Sequence, residues 1–262
     1  MKTLIMGILN YTPDSFSDGG LYFTPDLAAE HAAEMQKQRA DIIDIGCNST
    51  RPGSEILSEA DELARLREVL PAVKIAVSVP VSVDTFYTEC ARYALENGAE
   101  IINDVSGRFN KEIAALVKAA EAKYIVMHNP CGADDSADYP EGAVKDVRSF
   151  FEECISGADE AGLAPSDLWL DPGFGFGKSR EDNYELLANL EKIKVSGYPL
   201  LIGISRKRFI REGSPAESDF ATCAANTAAI LGGADIIRVH NVPAAVEVRR
   251  VTESAMKGEG NG

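Results

Sequence analysis

Short apolar segments in this chain repeatedly end in side chains that can bind charged or aromatic ligands. The second segment runs into GCNSTRPG, which contains Thr50 and Arg51. The other segments deliver Asn10, Asp84, Asn103, His128, Asp171, Lys207, Arg208, Arg238 and His240. Any one of these residues could instead cap a helix or pair on the surface. A repetition across eight segments favours a common site.

The polar residues fall into two chemical groups. A basic group could bind a phosphate or carboxylate, with arginine offering a bidentate fork: Arg51, Lys207, Arg238 and His240. An acidic or amide group could accept the paired N–H donors of a flat heterocycle: Asp84, Asn103 and Asp171. Together they predict a pocket for a heteroaromatic ring joined to a diphosphate. The residue types alone do not narrow the substrate class further.

The elements that must position these residues can be derived from hydrophobic patterning. Eight short apolar runs, from LIMGIL at 4–9 to IIRV at 236–239, alternate with segments of helical periodicity. This alternation predicts a single-domain (β/α)8 TIM barrel over 1–262, with 254–262 as a frayed tail. A doubly wound parallel sheet is the alternative, but NYTPDSFSDGG stands where its glycine fingerprint is usual. In a barrel, all C-terminal strand ends share one rim.

Composition restricts the partners and the compartment. The formal net charge of −15 disfavours nucleic acid and anionic membrane as partners. The five cysteines are odd in number and include no CxxC pair, so neither a disulfide framework nor a zinc site is expected. No stretch reaches membrane length, and the first apolar run is too short for a leader. The sequence therefore predicts a cytoplasmic protein.

Several motifs closely resemble the signatures of dihydropteroate synthases. MGILNYTPDSFSDGG is similar to their first signature and DIIDIGCNSTRPGSE to their second. SVDT, IINDVSG, DPGFGFGK, ISRK and RVH follow in the family's order, so the resemblance covers essentially the whole chain. It implies a (β/α)8 barrel, usually a homodimer. Such an enzyme would condense 6-hydroxymethyl-7,8-dihydropterin diphosphate with 4-aminobenzoate to 7,8-dihydropteroate and diphosphate, in folate biosynthesis.

The resemblance also implies a role for each matching residue. Those that would hold the pterin ring are Asp84, Asn103, Asp171 and Lys207. Those that would bind the diphosphate are Asn10, Arg51, Arg238 and His240, and Asn10 would also help to hold Mg2+. The 4-aminobenzoate pocket would involve Asp18, Thr50, Pro52, Phe176 and Arg208. The implied catalytic residues are Asp18, Arg51 and Lys207, and the enzyme would be a sulfonamide target.

The implied reaction agrees with the residue types. It breaks a C–O bond at a methylene on an electron-rich ring, which allows a dissociative path. Mg2+ and cationic side chains would then stabilise the departing diphosphate, and no covalent nucleophile is required. The two long segments NYTPDSFSDGG and GCNSTRPGSE are expected to close over the diphosphate and exclude water.

Three positions depart from the family pattern. Asn48 stands where glutamate is usual, and Asn241 stands where aspartate is common after the final histidine. Both changes remove a carboxylate near the expected anion site. Arg208 stands where many members have a small serine that helps to bind the 4-aminobenzoate carboxylate. It could bind that carboxylate through its guanidinium or backbone N–H, or it could point to solvent.

Two other classes of protein would share some of these motifs. A methyltetrahydrofolate-binding methyltransferase would share the barrel and the pterin-holding residues, but it needs no diphosphate site. A catalytically silent pterin-binding paralogue would fit the altered Asn48 and Asn241. GFGFGKS is not a P-loop, because Pro172 occupies the place of the first glycine. His128 could be either a satisfied core histidine or a site residue.

Overall fold

Eight parallel strands form the centre of the protein. The computed structural model describes residues 2–12, 24–48, 56–131, 137–211 and 215–258. The strands are β1 (Leu4–Asn10), β2 (Ile42–Gly46), β3 (Val81–Asp84), β4 (Ile101–Asp104), β5 (Lys123–Met127), β6 (Leu168–Asp171), β7 (Leu201–Ile202) and β8 (Ile236–Val239). They pair in the order β6-β5-β4-β3-β2-β1-β8-β7. A parallel bridge between Leu170 and Leu200 joins the two ends of the sheet. The result is the predicted single-domain (β/α)8 barrel.

Helices follow each of these strands and surround the barrel. They are α1 (Pro25–Lys37), α2 (Glu59–Ala76), α3 (Thr88–Glu96), α4 (Lys111–Ala119), α5 (Ala143–Ala161), α6 (Arg180–Ala188), α7 (Leu190–Ile193), α8 (Pro215–Leu231) and α9 (Val242–Lys257). Side-chain caps define several starts. Ser58 accepts from the backbone N–H of Asp61, and Ser179 forms a reciprocal capping box with Asp182. These caps fix the ends of the loops that leave the rim.

Successive strand residues face opposite sides of the barrel wall. Outward-facing residues such as Ile43 and Val83 pack in the main core between strands and helices. A separate cluster fills the lower barrel interior: Met6, Ile42, Ile101, Ile125, Trp169, Leu201 and Ile236. Along β2, Ile42, Asp44 and Gly46 alternate with the outward residues. Polar residues therefore replace apolar ones towards the C-terminal rim of the interior.

Three helix and strand boundaries differ from those that the sequence pattern predicts. Helix α2 continues to Ala76 through Pro71, a residue type that usually ends a helix, because buried Leu70 and Val73 offset the hydrogen bond lost at proline. Strand β7 is shorter than the apolar run at 200–204, since the chain turns when Lys207 N–H donates to the Ile204 carbonyl. Residues 254–257 form the last turn of α9, which ends at left-handed Gly258.

In the described ranges, no helix combines the length and apolarity needed to cross a membrane.

Candidate active site

Two glycines leave room for polar side chains at the C-terminal rim. A Cβ on Gly46 would lie 3.6 Å from Asn10 Oδ1 and 4.0 Å from Asp84 Oδ2. A Cβ on Gly203 would lie 3.9 Å from Asp171 Oδ2 and 4.0 Å from the Cβ of Arg238. Residues carried by β1, β3, β6 and β8 therefore converge on one interior space. The sequence predicted this convergence.

Arg238 joins the β2, β3 and β8 sides of this space. Its Nε donates to Asp44 Oδ2 at 2.6 Å, and its Nη2 donates to Asp84 Oδ2 at 2.9 Å. Asn103 Nδ2 donates to the same Asp44 oxygen at 3.2 Å. The fully buried Asp44 therefore orients both Arg238 and Asn103. Burial raises the pKa of Asp84, opposed by Arg238 and reinforced by Asp44.

Strand alternation separates the neighbours Asn103 and Asp104. Asn103 enters the interior with Asp44. Asp104 faces the other way, where it accepts from the Tyr124 hydroxyl at 2.6 Å and from the Ser106 N–H at 2.9 Å. Asn103 belongs to the site, whereas Asp104 holds the barrel wall and the start of the following loop.

Asp171 and Lys207 form the β6–β7 side of the site. Asp171 Oδ1 accepts from Gly173 N–H at 2.7 Å, while Oδ2 faces Gly203. Lys207 Nζ donates to the Phe174 carbonyl and lies 4.4 Å from the centre of the Phe176 ring. Burial raises the pKa of Asp171 against the opposing charge of Lys207. Burial lowers the pKa of Lys207 to about 8, against the opposing charge of Asp171.

The glycine-rich loop after β6 lets Lys207 approach its backbone. Gly173, Gly175 and Gly177 have φ values of 66°, 75° and 59°, in the left-handed region that glycine tolerates. A Cβ at Gly173 would collide with the His128 carbonyl oxygen, and one at Gly175 would lie 2.9 Å from Lys207 Cδ. The glycines of DPGFGFGK thus permit close contacts within the protein.

His240 and Arg208 occupy different environments at the rim. Ser205 Oγ accepts from the His240 backbone N–H at 3.2 Å and lies 2.9 Å from His240 Nδ1. The serine hydroxyl can therefore donate to Nδ1 and orient the ring. Arg208 begins the 3-10 turn Arg208–Ile210, and its side chain is exposed. The remaining predicted site residues lie outside the described ranges: Asp18, Thr50, Arg51 and Pro52.

The departures from the family pattern have local partners. Asn48 Nδ2 donates to Glu62 Oε2 at 3.0 Å, and Asn241 Nδ2 donates to Asp219 Oδ2 at 3.0 Å. Asn241 also caps α9 by accepting from Ala244 N–H. A carboxylate at position 48 or 241 would face another carboxylate. Each asparagine is therefore matched to an acid already present in this chain.

Sequence reasoning missed Asp44 as a site residue. It lies within the apolar run IIDI rather than at its end, so it was counted as part of a strand. An acid in the middle of a buried strand was the available signal, because buried carboxylates are normally paired. Its partner Arg238 comes from the last strand of the barrel.

The rim of this parallel barrel brings carboxylate and amide acceptors together with lysine and arginine. The family described as "Pterin binding enzyme" matches residues 6–240. A dihydropteroate synthase of Streptococcus pyogenes serotype M6 is 42% identical over 96% of this chain and 95% of its own. The chain belongs to the dihydropteroate synthase family, whose members are transferases that form a C–N bond.

Solved structures agree with this assignment. The dihydropteroate synthase of Clostridium difficile, in the presence of pteroic acid, superposes with a TM-score of 0.90 and 38% identity, covering 98% of each chain. The synthase of Xanthomonas albilineans with 4-aminobenzoic acid gives a TM-score of 0.89 and 38% identity, over 97% of this chain and 93% of that one. These relatives favour the synthase over the methyltransferase alternative.

Proposed function

We propose that this protein condenses 6-hydroxymethyl-7,8-dihydropterin diphosphate with 4-aminobenzoate, giving 7,8-dihydropteroate and diphosphate in folate biosynthesis. The observation that carries the proposal is the convergence of pterin-type acceptors and a half-buried lysine in one barrel mouth: Asp84, Asn103, Asp171 and Lys207. Support also comes from the similar structures that contain pteroic acid or 4-aminobenzoic acid.

The pterin ring binds between the two sides of the rim. Asp171 Oδ2 faces the interior, so it can accept from the ring's NH2–C–NH edge. Asn103 Oδ1 is buried and accepts no hydrogen bond from the described part of the chain, which suits a ring N–H. Asp84 is the partner of Asn103 on the neighbouring strand, and the Lys207 ammonium can donate to an acceptor of the ring. Acceptors without a hydrogen-bond partner in the described residues favour a ring edge that carries several N–H donors.

The diphosphate binds towards β1 and β8. Arg238 and His240 supply donors, and Arg51 is the third expected contact. The donor set also fits Mg2+ that is carried on the diphosphate, because Mg2+ uses few protein oxygens beside phosphate oxygens and water. Asn10 offers one such oxygen, and the described ranges contain no cluster of three acidic, histidine or cysteine ligands. When bound, the ion would neutralise charge on the diphosphate.

The chain's residues then control the substitution. The methylene C–O bond breaks, its electron pair leaves with diphosphate, and the aniline nitrogen forms the new C–N bond and loses a proton. Phe176, beside Lys207, borders 4-aminobenzoate with Thr50, Pro52 and Arg208. Asp18 and Arg51 complete the catalytic set with Lys207. Sulfonamides would compete as mimics of 4-aminobenzoate.

We also propose that the protein is a cytoplasmic homodimer. Cys47, Cys90, Cys131, Cys154 and Cys223 form no disulfide with one another, which fits a reducing compartment. Helices α8 and α9 pack together and leave large apolar side chains exposed: Phe220, Leu231, Val251 and Met256. We propose that a second copy of this chain buries these apolar side chains at a dimer interface. Sedimentation equilibrium should give twice the monomer mass, and Phe220→Glu should shift it towards the monomer.

Turnover of purified protein tests the proposed function. Protein, Mg2+, the pterin diphosphate and 4-aminobenzoate are mixed, and diphosphate and pteroate formation are followed. We expect product only with both substrates, and we expect its loss in Lys207→Met. The exposed Lys192→Met serves as the matched control and should retain activity. Pterin binding without turnover would instead favour a silent paralogue, and no pterin binding would overturn the proposal.

A further inference from the structure

Lys178, the last residue of DPGFGFGK, is a buried cation with no role in the reaction as described above. Only 7% of it is exposed. Its Nζ lies 3.0 Å from the Gly173 carbonyl oxygen, 3.0 Å from the Phe176 carbonyl oxygen and 3.3 Å from the His128 carbonyl oxygen. The fourth neighbour is His128 Nδ1 at 2.9 Å. All four neighbours can accept, so the ammonium is enclosed by acceptors.

His128 and Asp146 extend this contact to the surface. His128 Nε2 lies 2.7 Å from Asp146 Oδ1, and the side chain of Asp146 is 53% exposed. Because Nδ1 faces an ammonium, the proton of neutral His128 resides on Nε2 and is donated to Asp146. Burial and the charge of Lys178 lower the pKa of His128, which keeps the ring neutral. The hydrogen bond to Asp146 therefore favours the His128 tautomer whose Nδ1 can accept from Lys178.

Two of the three carbonyls held by Lys178 belong to the loop that supports Lys207. Gly173 and Phe176 bracket Phe174, whose carbonyl accepts from Lys207 Nζ. The Phe176 ring itself lies beside Lys207 Nζ. The loop has other supports, because Gly175 N–H donates to Asn183 Oδ1 and the Tyr139 hydroxyl donates to the Gly177 carbonyl. The Gly173 carbonyl also accepts from the Phe176 N–H, and the Lys178 side chain joins the Gly173 and Phe176 carbonyls at the two ends of this turn.

We propose that Lys178 is a positioning residue for the synthase reaction, which holds the Gly173–Phe176 turn so that Lys207 meets the pterin, with His128 and Asp146 holding Lys178. The inference rests on the proposed function. Lys178 does not touch the substrate. It acts through the backbone of the loop and through Lys207.

A double-mutant cycle on pterin diphosphate binding tests this inference. Dissociation constants are measured by calorimetry for wild type, Lys178→Met, Lys207→Met and the double variant. We expect Lys178→Met to weaken binding at least about fivefold. In the Lys207→Met background, the same change should alter binding less than about twofold, since the residue it positions is absent. A merely structural lysine would weaken binding equally in both backgrounds, and that result would overturn the inference.

Asp146→Ala tests the same chain of contacts without altering a buried group. We expect about two- to threefold weaker pterin binding, again only when Lys207 is present. Glu152→Ala is the matched control, because Glu152 lies on the same helix and pairs with the neighbouring Arg148. It should bind like wild type. If Lys178→Met does not fold, wild-type affinity in Asp146→Ala overturns the inference. Failure of the wild-type protein to bind the pterin diphosphate would instead count against the proposed function.

Discussion

The two sides of the rim both contain buried carboxylates, but they balance them differently. On the β2–β4 side, Asp44 and Asp84 share the guanidinium of Arg238. On the β6–β7 side, Asp171 lies near Lys207 and Lys178, which are held by backbone carbonyls. Arginine stays charged at any physiological pH, whereas burial lowers the pKa of Lys207 to about 8 and that of Lys178 to about 7.

This difference separates a cluster whose cation stays charged from one whose cations can lose a proton near neutral pH. The guanidinium is needed to keep two buried acids close together, so its removal should affect folding. Burial destabilises the charged form of the two lysines, so their removal should affect function more than folding. Buried ionisable groups whose charged form is disfavoured are typical of functional sites.

Arg238→Met should have the largest effect on stability. It leaves Asp44 and Asp84 without their shared cation, and we expect the free energy of unfolding at pH 7 to fall by about 3 kcal/mol or more. The loss should be smaller at pH 5, where the acids can take up protons. Urea denaturation measures both values. Adding Asp44→Asn should recover part of the stability, and an unchanged stability in the single variant would remove the contrast between the two sides.

Lys207→Met should reduce activity strongly and leave stability largely intact, the opposite of Arg238→Met. We expect kcat/KM to fall by about 10²-fold or more, because a donor at the reacting ring is lost. Stability at pH 7 should be equal to or above that of wild type, because the folded pKa of about 8 lies below the ordinary value. Between pH 7 and 9, the wild-type protein should gain stability with rising pH, and this variant should gain less. A large loss of stability in Lys207→Met would contradict the comparison.

Asn103→Ala tests the inner face of β4, and Tyr124→Phe tests its outer face, because Tyr124 of β5 donates to Asp104. Asn103→Ala should weaken pterin binding by roughly fivefold, since about 1 kcal/mol of hydrogen bonding is lost. Tyr124→Phe removes the hydroxyl that donates to Asp104 and should reduce stability by about 1 kcal/mol while leaving binding unchanged. Calorimetry and urea denaturation test the pair. Weaker pterin binding in Tyr124→Phe would show that the outer face also contributes.

Asn241→Asp should have the smallest functional effect. The cap of α9 is kept, but a donor to Asp219 becomes a carboxylate next to it. We expect stability to fall by about 1 kcal/mol and kcat/KM to change less than about threefold. Steady-state kinetics checks the second value. A loss of kcat/KM larger than the loss of pterin binding in Asn103→Ala would place Asn241 in the diphosphate site and contradict the predicted order.

The sequence predicted the barrel and its rim because both depend on local patterns. Continuous apolar runs marked the strands, and parallel strands bring their C-terminal ends together, which placed Asp84, Asn103 and Asp171 at one rim. The roles assigned to these residues remain predictions.

Other parts of the site depend on contacts that no local pattern encodes. Asp44 meets Arg238 across 194 positions of sequence, and only barrel closure brings them together. The contacts of Lys178 depend on the left-handed glycines of its loop and on His128 from the preceding strand. The motif DPGFGFGK resembles a family signature, but it does not predict the direction of its lysine. His128, left open by the sequence, is buried and satisfied by Asp146 and Lys178.

The pH dependence of pterin diphosphate binding tests the central claim most directly. Dissociation constants would be measured from pH 7 to 9.5 for wild type and Asp171→Asn. The account predicts that wild-type affinity falls above about pH 8, as Lys207 loses its proton. In Asp171→Asn the fall should begin at lower pH, because Asp171 raises the pKa of Lys207. An affinity that stays constant to pH 9.5, or a profile that Asp171→Asn does not move, would contradict a charged Lys207 at the pterin.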